Sequence, residues 1–216
     1  MIPNAWGVVL SRRIHGEADR ICTIYTENFG KLPVRFVGVN KPGRKLKALS
    51  EPMVWGEYRL YLSPKSEFAK AIGGRLIGTF PGIREDFDRT VAALGCCEML
   101  NVLTADRSAN PEKYALICSA LTNLELGESP WVPLAFGLRL LRLAGYGLET
   151  DFPAAQPALW TALNEAPLES LRDEPWRPEA AASLREALLD QYDAVAGREL
   201  RSRRFSQKRR PEEAVR

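Results

Sequence analysis

The sequence predicts an α+β chain in which a small β-barrel precedes an all-helical domain. Up to residue 80, short apolar runs alternate with polar residues and are separated by Gly, Pro and Asn, as in half-buried strands joined by turns. At Phe80-Pro81-Gly82 the apolar period changes to that of a helix. We therefore predict a barrel domain over residues 1–80, a helical domain over 81–197 and a basic tail over 198–216.

Five candidate strands occupy the first domain, at residues 6–11, 18–26, 31–39, 54–63 and 75–80. Pro33 cannot donate to a strand ladder, so the third strand should have an edge or a bulge there. Five short strands in a basic barrel are the layout of an OB-fold, whose strands and loops bind oligonucleotides or oligosaccharides. The predicted fold class is thus an N-terminal five-stranded OB-fold barrel followed by an all-α domain.

The helical domain should contain helices beginning at Ile83, over 111–126, over 130–147, around 159–171 and over 178–196. Asn110 is a typical N-cap, and the proline after it suits the first helical position. Gly127 and Gly197 can end the second and the last helix, because glycine readily adopts the left-handed conformation found there.

Composition excludes several classes of protein. The chain has no run of 18 apolar residues, so no membrane span is expected. The basic pair near its start follows the apolar stretch, unlike in a signal peptide. The four cysteines form no C-x-x-C pair and have no histidine nearby, so we expect neither zinc nor another cofactor. Scattered cysteines fit a reducing cytoplasm better than a disulfide scaffold, which predicts a cytoplasmic location.

Charge is distributed unevenly along the chain. Residues 1–50 contain nine Lys and Arg against three Asp and Glu, and residues 198–216 contain eight against three. Residues 51–197 are acidic, with 13 against 21. Two basic blocks on either side of an acidic middle suggest an oriented surface that meets a polyanion, although a basic end is often only a solvated tail.

The first basic block centres on the loop NKPGRKLK, which Gly and Pro keep out of regular structure. Lys supplies a point charge to a phosphate and Arg can fork onto one. The candidate nucleic-acid contacts are Arg12, Arg13, Arg35, Lys41, Arg44, Lys45 and Lys47. Tyr25, Phe29 and Phe36 are nearby aromatics on which bases could stack, but core packing is the better interpretation for Phe36. The alternative for the loop is a solvated hairpin whose charge serves solubility.

The second basic block is the tail segment RELRSRRFSQKRR. Arg201, Arg203 and Arg204 are its candidate DNA contacts. We expect residues 201–205 to dock on the protein, because Leu200 and Phe205 would otherwise be exposed. For residues 208–210 a disordered terminus is the simpler interpretation.

The third predicted helix has a broad apolar face flanked by arginines. An apolar pocket with Arg at its rim could hold the acidic end of a peptide. The candidate partner-binding residues are Leu138, Arg139, Leu141 and Arg142. The competing interpretation is that this helix is simply the core of its domain.

The sequence contains few residues that could form a catalytic site. His15 is the only histidine, and no nucleophile–base pair can be built around it. Glu85, Asp86 and Asp88 could bind Mg²⁺ in principle, which leaves a metal-dependent nuclease as an alternative function, but acids early in a helix mostly serve capping. A protein adaptor that does not bind DNA is the other alternative. We favour a non-enzymatic protein.

The order of these features resembles the RecO family of bacterial recombination mediators. The matching segments are HGEADRICTIYTENFGK, GRKLKALSEP, FPGIREDFDR, LRLLRLAGYG and LRSRRF, of which GEADR at 16–20 and LRSRRF at 200–205 are the most specific. The resemblance implies binding of single- and double-stranded DNA, annealing of complementary strands and loading of RecA together with RecR. It also implies contact with the acidic C-terminal tail of single-stranded DNA-binding protein. Many members have a four-cysteine zinc module after the GY motif, whereas residues 148–176 here contain no cysteine.

Overall fold

The computed structural model describes residues 2–41, 43, 46–148, 150–201 and 203. Its N-terminal part is a closed five-stranded barrel in the order β1-β2-β3-β5-β4. The strands are β1 Asn4–His15, β2 Asp19–Thr26, β3 Gly30–Phe36, β4 Trp55–Tyr61 and β5 Ala69–Gly78. The β3–β5 pair is parallel, and the other four pairs are antiparallel. This closed five-stranded barrel confirms the predicted OB-fold.

Alternating side chains give the barrel two apolar surfaces. Ala5 and Val9 point into the barrel, where they join a buried cluster that includes Phe36 and Tyr58. Val8 lies on the opposite face of β1 and belongs to a second cluster shared with the helices. The ladder between β3 and β5 comprises residues 34 and 35, so Pro33 lies just outside it and the predicted strand edge is confirmed.

Two strands are longer than the sequence pattern predicted. β1 continues to His15 because its second half, which is exposed and lacks apolar alternation, pairs with the start of β2. β5 begins at Ala69 and not at residue 75. Its start was missed because Gly73 and Gly74 interrupt the alternation. A Cβ on Gly74 would lie 2.4 Å from the carbonyl oxygen of Glu57, so glycine permits the close approach of β4 and β5.

Seven α-helices lie in the described part of the chain. They are α1 Pro81–Glu85, α2 Phe87–Val102, α3 Pro111–Leu126, α4 Val132–Leu143, α5 Phe152–Ala155, α6 Pro157–Glu165 and α7 Pro178–Ala196. Asn110 accepts the backbone N–H of Lys113 at 2.9 Å, and Gly127 and Gly197 have φ values of 68° and 64°. The predicted caps of α3 and α7 are therefore confirmed. None of the described helices is long and apolar enough to cross a lipid bilayer.

Three helix predictions need correction. The helix predicted from Ile83 is divided at Asp86, whose carboxylate accepts the backbone N–H of Arg89 at 3.0 Å and so caps a new helix. The piece around 159–171 is α6 followed by a 3₁₀ helix at Leu168–Asp173. The helix predicted over 130–147 ends at Leu143, before the Gly145 turn with its φ of 82°.

The barrel and the helices share one continuous apolar core. Val8, Leu10 and Tyr25 of the barrel's outer surface are buried with residues of α2, α3 and α4. Trp55 donates its indole N–H to the hydroxyl of Tyr114 at 3.0 Å across this boundary. The helical part therefore covers one side of the barrel and leaves its other surfaces exposed.

Candidate nucleic-acid interface

Part of the first basic block lies on the hairpin formed by the end of β1 and the start of β2. A register shift between Val9 and Ser11 interrupts the ladder, and the hairpin then continues to the pair of His15 and Asp19. Arg12 and Arg13 are consecutive and exposed, so they point to opposite faces. The Arg12 guanidinium lies 2.8 Å from a carboxylate oxygen of Glu51.

Arg20, at the end of the GEADR motif, ties down both ends of the basic loop. Its side chain is 9% exposed and donates to Asn40 Oδ1 at 2.7 Å, to Ser50 Oγ at 2.9 Å and to Glu51 Oε1 at 2.7 Å. Asn40 is the first residue of the loop, and Ser50 and Glu51 follow it. A buried guanidinium must be paired and hydrogen-bonded to be tolerated, so the loop ends are fixed by the same contacts that compensate this charge.

Asp19 of the same motif holds the other side of the loop. It accepts the backbone N–H of Gly38 at 2.7 Å and pairs with Arg35, 2.7 Å from Nη2. The hydrogen bond from Gly38 and the contact with Arg35 keep the pKa of Asp19 below its usual value. Arg35, predicted as a DNA contact, thus has a structural partner, although 45% of its side chain remains exposed.

Two of the four predicted cations of the loop can be placed. Lys41 and Lys47 are exposed. Arg44 and Lys45 lie outside the described residues. Glu51 links the loop to the hairpin, because it accepts hydrogen bonds from both Arg12 and Arg20.

A groove of about 580 Å³ lies between the outer face of the β1–β2 hairpin and α2. We call it the hairpin–α2 groove. Its lining residues are Leu10, Ser11, Arg12, Arg13, Ile21, Thr23, Phe87, Thr90, Val91, Leu94, Glu98, Asn101, Arg198 and Arg201. Arg12 and Arg13 come from the first basic block and Arg198 and Arg201 from the second. The structure therefore brings together cations that are more than 180 residues apart in the sequence.

The floor of the groove is partly apolar. Phe87 is 59% exposed and Leu94 is 39% exposed, although both lie on α2 where a helix normally buries such residues. Arg13, Arg198 and Arg201 beside an exposed apolar floor form a surface that can contact both phosphates and bases.

Acidic residues of the helices dock the beginning of the tail. Leu200 is fully buried, as predicted for a docked segment. Glu98 accepts the backbone N–H of Arg201 at 2.9 Å and pairs with Arg198 at 3.4 Å. Arg203 lies 2.8 Å from both Asp190 and Asp193, so this predicted DNA contact is an ion-paired anchor in the structure. The remaining members of the predicted segment, including Arg204 and Phe205, lie outside the described residues.

Two arginines of the groove present charge without a side-chain partner in the described ranges of the chain. The guanidinium groups of Arg13 and Arg201 have no hydrogen-bond or ion-pair partner among the residues that the structure describes, and both side chains are exposed. Arg198 was not among the predicted contacts, although its place directly after the helix-ending Gly197 puts a cation close to the helical body. The apolar floor was also missed, because Phe87 and Leu94 have the spacing of core residues.

The candidate stacking aromatics are unevenly accessible. Tyr25 and Phe36 are fully buried, which confirms core packing for Phe36 and removes Tyr25 as a stacking surface in this conformation. Phe29 is half-buried and lines a separate cavity of about 210 Å³ with Phe68 and Arg107 at the opposite end of the barrel.

The candidate partner-binding residues of α4 lie mostly inside the protein. Leu138 is 4% and Leu141 1% exposed. Arg139 donates to the carbonyls of Leu163, Ala162 and Ala166, so it caps the C-terminal end of α6. Burial lowers the pKa of this guanidinium. Arg142 is exposed and donates to one carbonyl, that of Asn164, at 3.4 Å.

The thiols and acidic groups of the described residues offer little for catalysis. Burial raises the pKa of Cys22, Cys97 and Cys118 to about 12, so these thiols stay protonated and are poor nucleophiles. Within the described ranges, no three His, Cys, Asp or Glu side chains are grouped so that they could hold a metal ion. Glu85, Asp86 and Asp88 therefore form no such group, and the nuclease alternative lacks a site there.

Family models match most of the chain. The model described as Recombination protein O N terminal matches residues 1–80, and the one described as Recombination protein O C terminal matches residues 84–158. Curated relatives carry the name DNA repair protein RecO. The Bacillus subtilis protein is 30% identical over 68% of this chain and 57% of its own length. The Myxococcus xanthus protein is 33% identical over 64% of this chain and 57% of its own length.

The matched region is shorter than the relatives themselves. The Desulfitobacterium hafniense protein is 27% identical over 66% of this chain, and that match covers 52% of its own length. The chain thus spans little more than half the length of the curated relatives that it matches.

Proposed function

The chain belongs to the RecO family, and from this premise we propose that it is a non-enzymatic mediator of DNA repair. On this proposal it binds single- and double-stranded DNA and anneals complementary strands. The observation that carries the proposal is the hairpin–α2 groove, in which arginines of both basic blocks line one surface. A protein that used its basic ends only for solubility would have no reason to bring them together.

The proposed mechanism is electrostatic. Arg13 and Arg201 present charge to solvent, and Arg198 shares its charge with Glu98. Phosphates placed along the groove exchange condensed counterions for these guanidinium groups, so binding is driven by counterion release and weakens with salt. Two strands whose phosphates are both neutralised repel each other less, which lets complementary bases meet.

Partners enter the proposal through the family. We include RecR, RecA loading and the acidic tail of single-stranded DNA-binding protein as proposed partners and activity. For the acidic tail, α4 remains the proposed region. A peptide could reach Leu138 and Leu141 only if the elements packed on them moved away, since both side chains are buried. Arg142 is the exposed residue through which this contact can be tested, by measuring binding of an acidic peptide to an Arg142→Ala variant.

Strand annealing tests the proposed function directly. Two complementary fluorophore-labelled oligonucleotides are mixed with and without the protein, at low and at moderate salt. We expect the protein to accelerate annealing at low salt and to lose this effect as salt is added. The double variant Arg13→Glu/Arg201→Glu should lose most of the acceleration.

The matched control is Arg185→Glu on α7, an exposed arginine remote from the groove lining. It changes the net charge in the same direction and should retain annealing. Absence of acceleration by the folded wild-type protein would overturn the proposal and leave the adaptor alternative. Loss of labelled strands in the presence of Mg²⁺ would instead indicate a nuclease.

A further inference from the structure

The outer face of β1, β4 and β5 is covered over only part of its length. Val8 and Trp55 are paired across β1 and β4, and helical residues pack on both of them. Further along the same face the helices no longer reach the sheet. There Trp6 is 42% exposed and Tyr61 is 45% exposed. Two large aromatics on an open sheet face are unusual, because such side chains normally contribute to a core.

Three cations stand beside these aromatics. Glu57 of β4 is paired with Trp6 of β1 on one side and with Arg75 of β5 on the other. Tyr61 of β4 is paired with Lys70 of β5. Arg59 lies between them, two residues from both Glu57 and Tyr61 on the same face of β4. We call the exposed group of Trp6, Arg59, Tyr61, Lys70 and Arg75 the sheet platform.

The charge of the platform is only partly compensated. The acidic residue beside these cations is Glu57. Its carboxylate lies 2.5 Å from the Arg75 guanidinium and accepts a hydrogen bond from the Asn4 side-chain amide at 3.2 Å. Neither Arg59 nor Lys70 has a hydrogen-bond or ion-pair partner in the part of the chain that the structure describes. Gly73 of β5 is paired with Arg59 of β4, so β5 has no side chain at that position to cover the Arg59 stem.

We propose that the sheet platform is a second binding surface, which holds single-stranded nucleic acid by stacking bases on Trp6 and Tyr61 and binding phosphates with Arg59 and Lys70. The proposal rests on the proposed function and adds a site to it. Alternation of aromatic and basic side chains on an open sheet is the chemistry that single strands require, because an unpaired base offers its π-face whatever its identity. A duplex buries those faces and would meet only the cations.

The platform and the groove lie on the same strand. Trp6 is near the start of β1 and Arg13 is near its end, roughly 20 Å away along an extended chain. A strand stacked on an open face keeps its pairing edges exposed to solvent. One strand on the platform can therefore meet a complementary strand that is held in the hairpin–α2 groove.

The test compares two DNA substrates. Affinities for a labelled oligothymidylate and for a duplex of equal length are measured with the Trp6→Ala/Tyr61→Ala double variant. The affinity for the single strand should fall by about 25-fold, at roughly five-fold for each stacked base, while the duplex affinity changes by less than about two-fold. Tyr146→Ala, which removes a tyrosine of similar exposure from the helical part, is the matched control and should bind both substrates normally.

A second measurement does not depend on mutation. Oligothymidylate containing 5-iododeoxyuridine is irradiated on the wild-type protein, and crosslinked peptides are mapped by mass spectrometry. We expect crosslinks at Trp6 or Tyr61.

Unchanged single-strand affinity with crosslinks only elsewhere would overturn the platform and leave the groove proposal standing. An equal loss for both substrates would overturn base stacking. Failure of the wild type to bind any DNA would overturn both proposals, and loss of a protein partner alone would assign the face to protein.

Discussion

The two basic blocks of this chain are held in different ways. In the first block, a buried arginine and an aspartate of the GEADR motif fix the loop, so that Arg13, Lys41 and Lys47 remain exposed. In the second block, the basic side chains themselves form the anchors, because Arg198 and Arg203 pair with acids of α2 and α7. A count of charges along the sequence therefore overstates the charge that the described residues of the tail, 198–201 and 203, leave unpaired. The same count gives no indication that a residue such as Arg20 fixes the loop by its hydrogen bonds.

The largest expected effect comes from removing the anchor of the first block. Arg20→Ala should lower the free energy of unfolding by about 3 kcal/mol, the lower end of the range for a broken buried ion pair, because Glu51 keeps Arg12 as a partner. Urea denaturation measures it. Arg13→Ala, which removes an exposed arginine from the same hairpin, should change stability by less than about 0.5 kcal/mol. Equal losses in the two variants would show that Arg20 does not anchor the loop.

A smaller effect is expected from loosening the second block. Leu200 is fully buried, and Leu200→Ala should weaken docking of the tail segment by about 2 kcal/mol, or roughly 30-fold in the fraction of open segment. Trypsin cleavage after Arg198 or Arg201 should accelerate accordingly. Leu126→Ala, at a leucine on α3 that is 58% exposed, is the control and should leave the cleavage rate unchanged. Unaltered cleavage in Leu200→Ala would mean that the ion pairs alone hold the tail.

A third effect is the pH dependence of stability that Asp19 gives to the first block. The pKa of Asp19 is lowered by its hydrogen bond with Gly38 and its pairing with Arg35, so its contribution to stability is fully present above its ordinary value of 3.8. That contribution is lost as pH falls through the lower pKa of the folded state. The stability difference between wild type and Asp19→Asn should therefore be constant near neutral pH and shrink below about pH 4. A difference that is independent of pH down to acid unfolding would contradict this origin.

The sequence predicted the barrel well because alternation and turn residues are local signals. The same local signals do not reveal which distant residues will contact a side chain. Leu138 and Leu141 form an apolar stripe beside arginines, but which elements would cover that stripe is decided by the fold of residues 152–171. Arg203 was predicted to contact DNA because the two aspartates that bind it lie on another helix. The apolar floor and the sheet platform were missed because exposure of a large side chain leaves no mark on periodicity.

On the proposed function, arginines from both basic blocks form one DNA-binding surface across the hairpin–α2 groove. The most direct test is the salt dependence of binding to one short labelled oligonucleotide, of about eight nucleotides, for wild type, Arg13→Ala, Arg201→Ala and the double variant. Each single change should flatten the log–log slope by about 0.7, and the double change should flatten it by about 1.4. A slope that changes for only one of the two residues, or for neither, would contradict a shared surface.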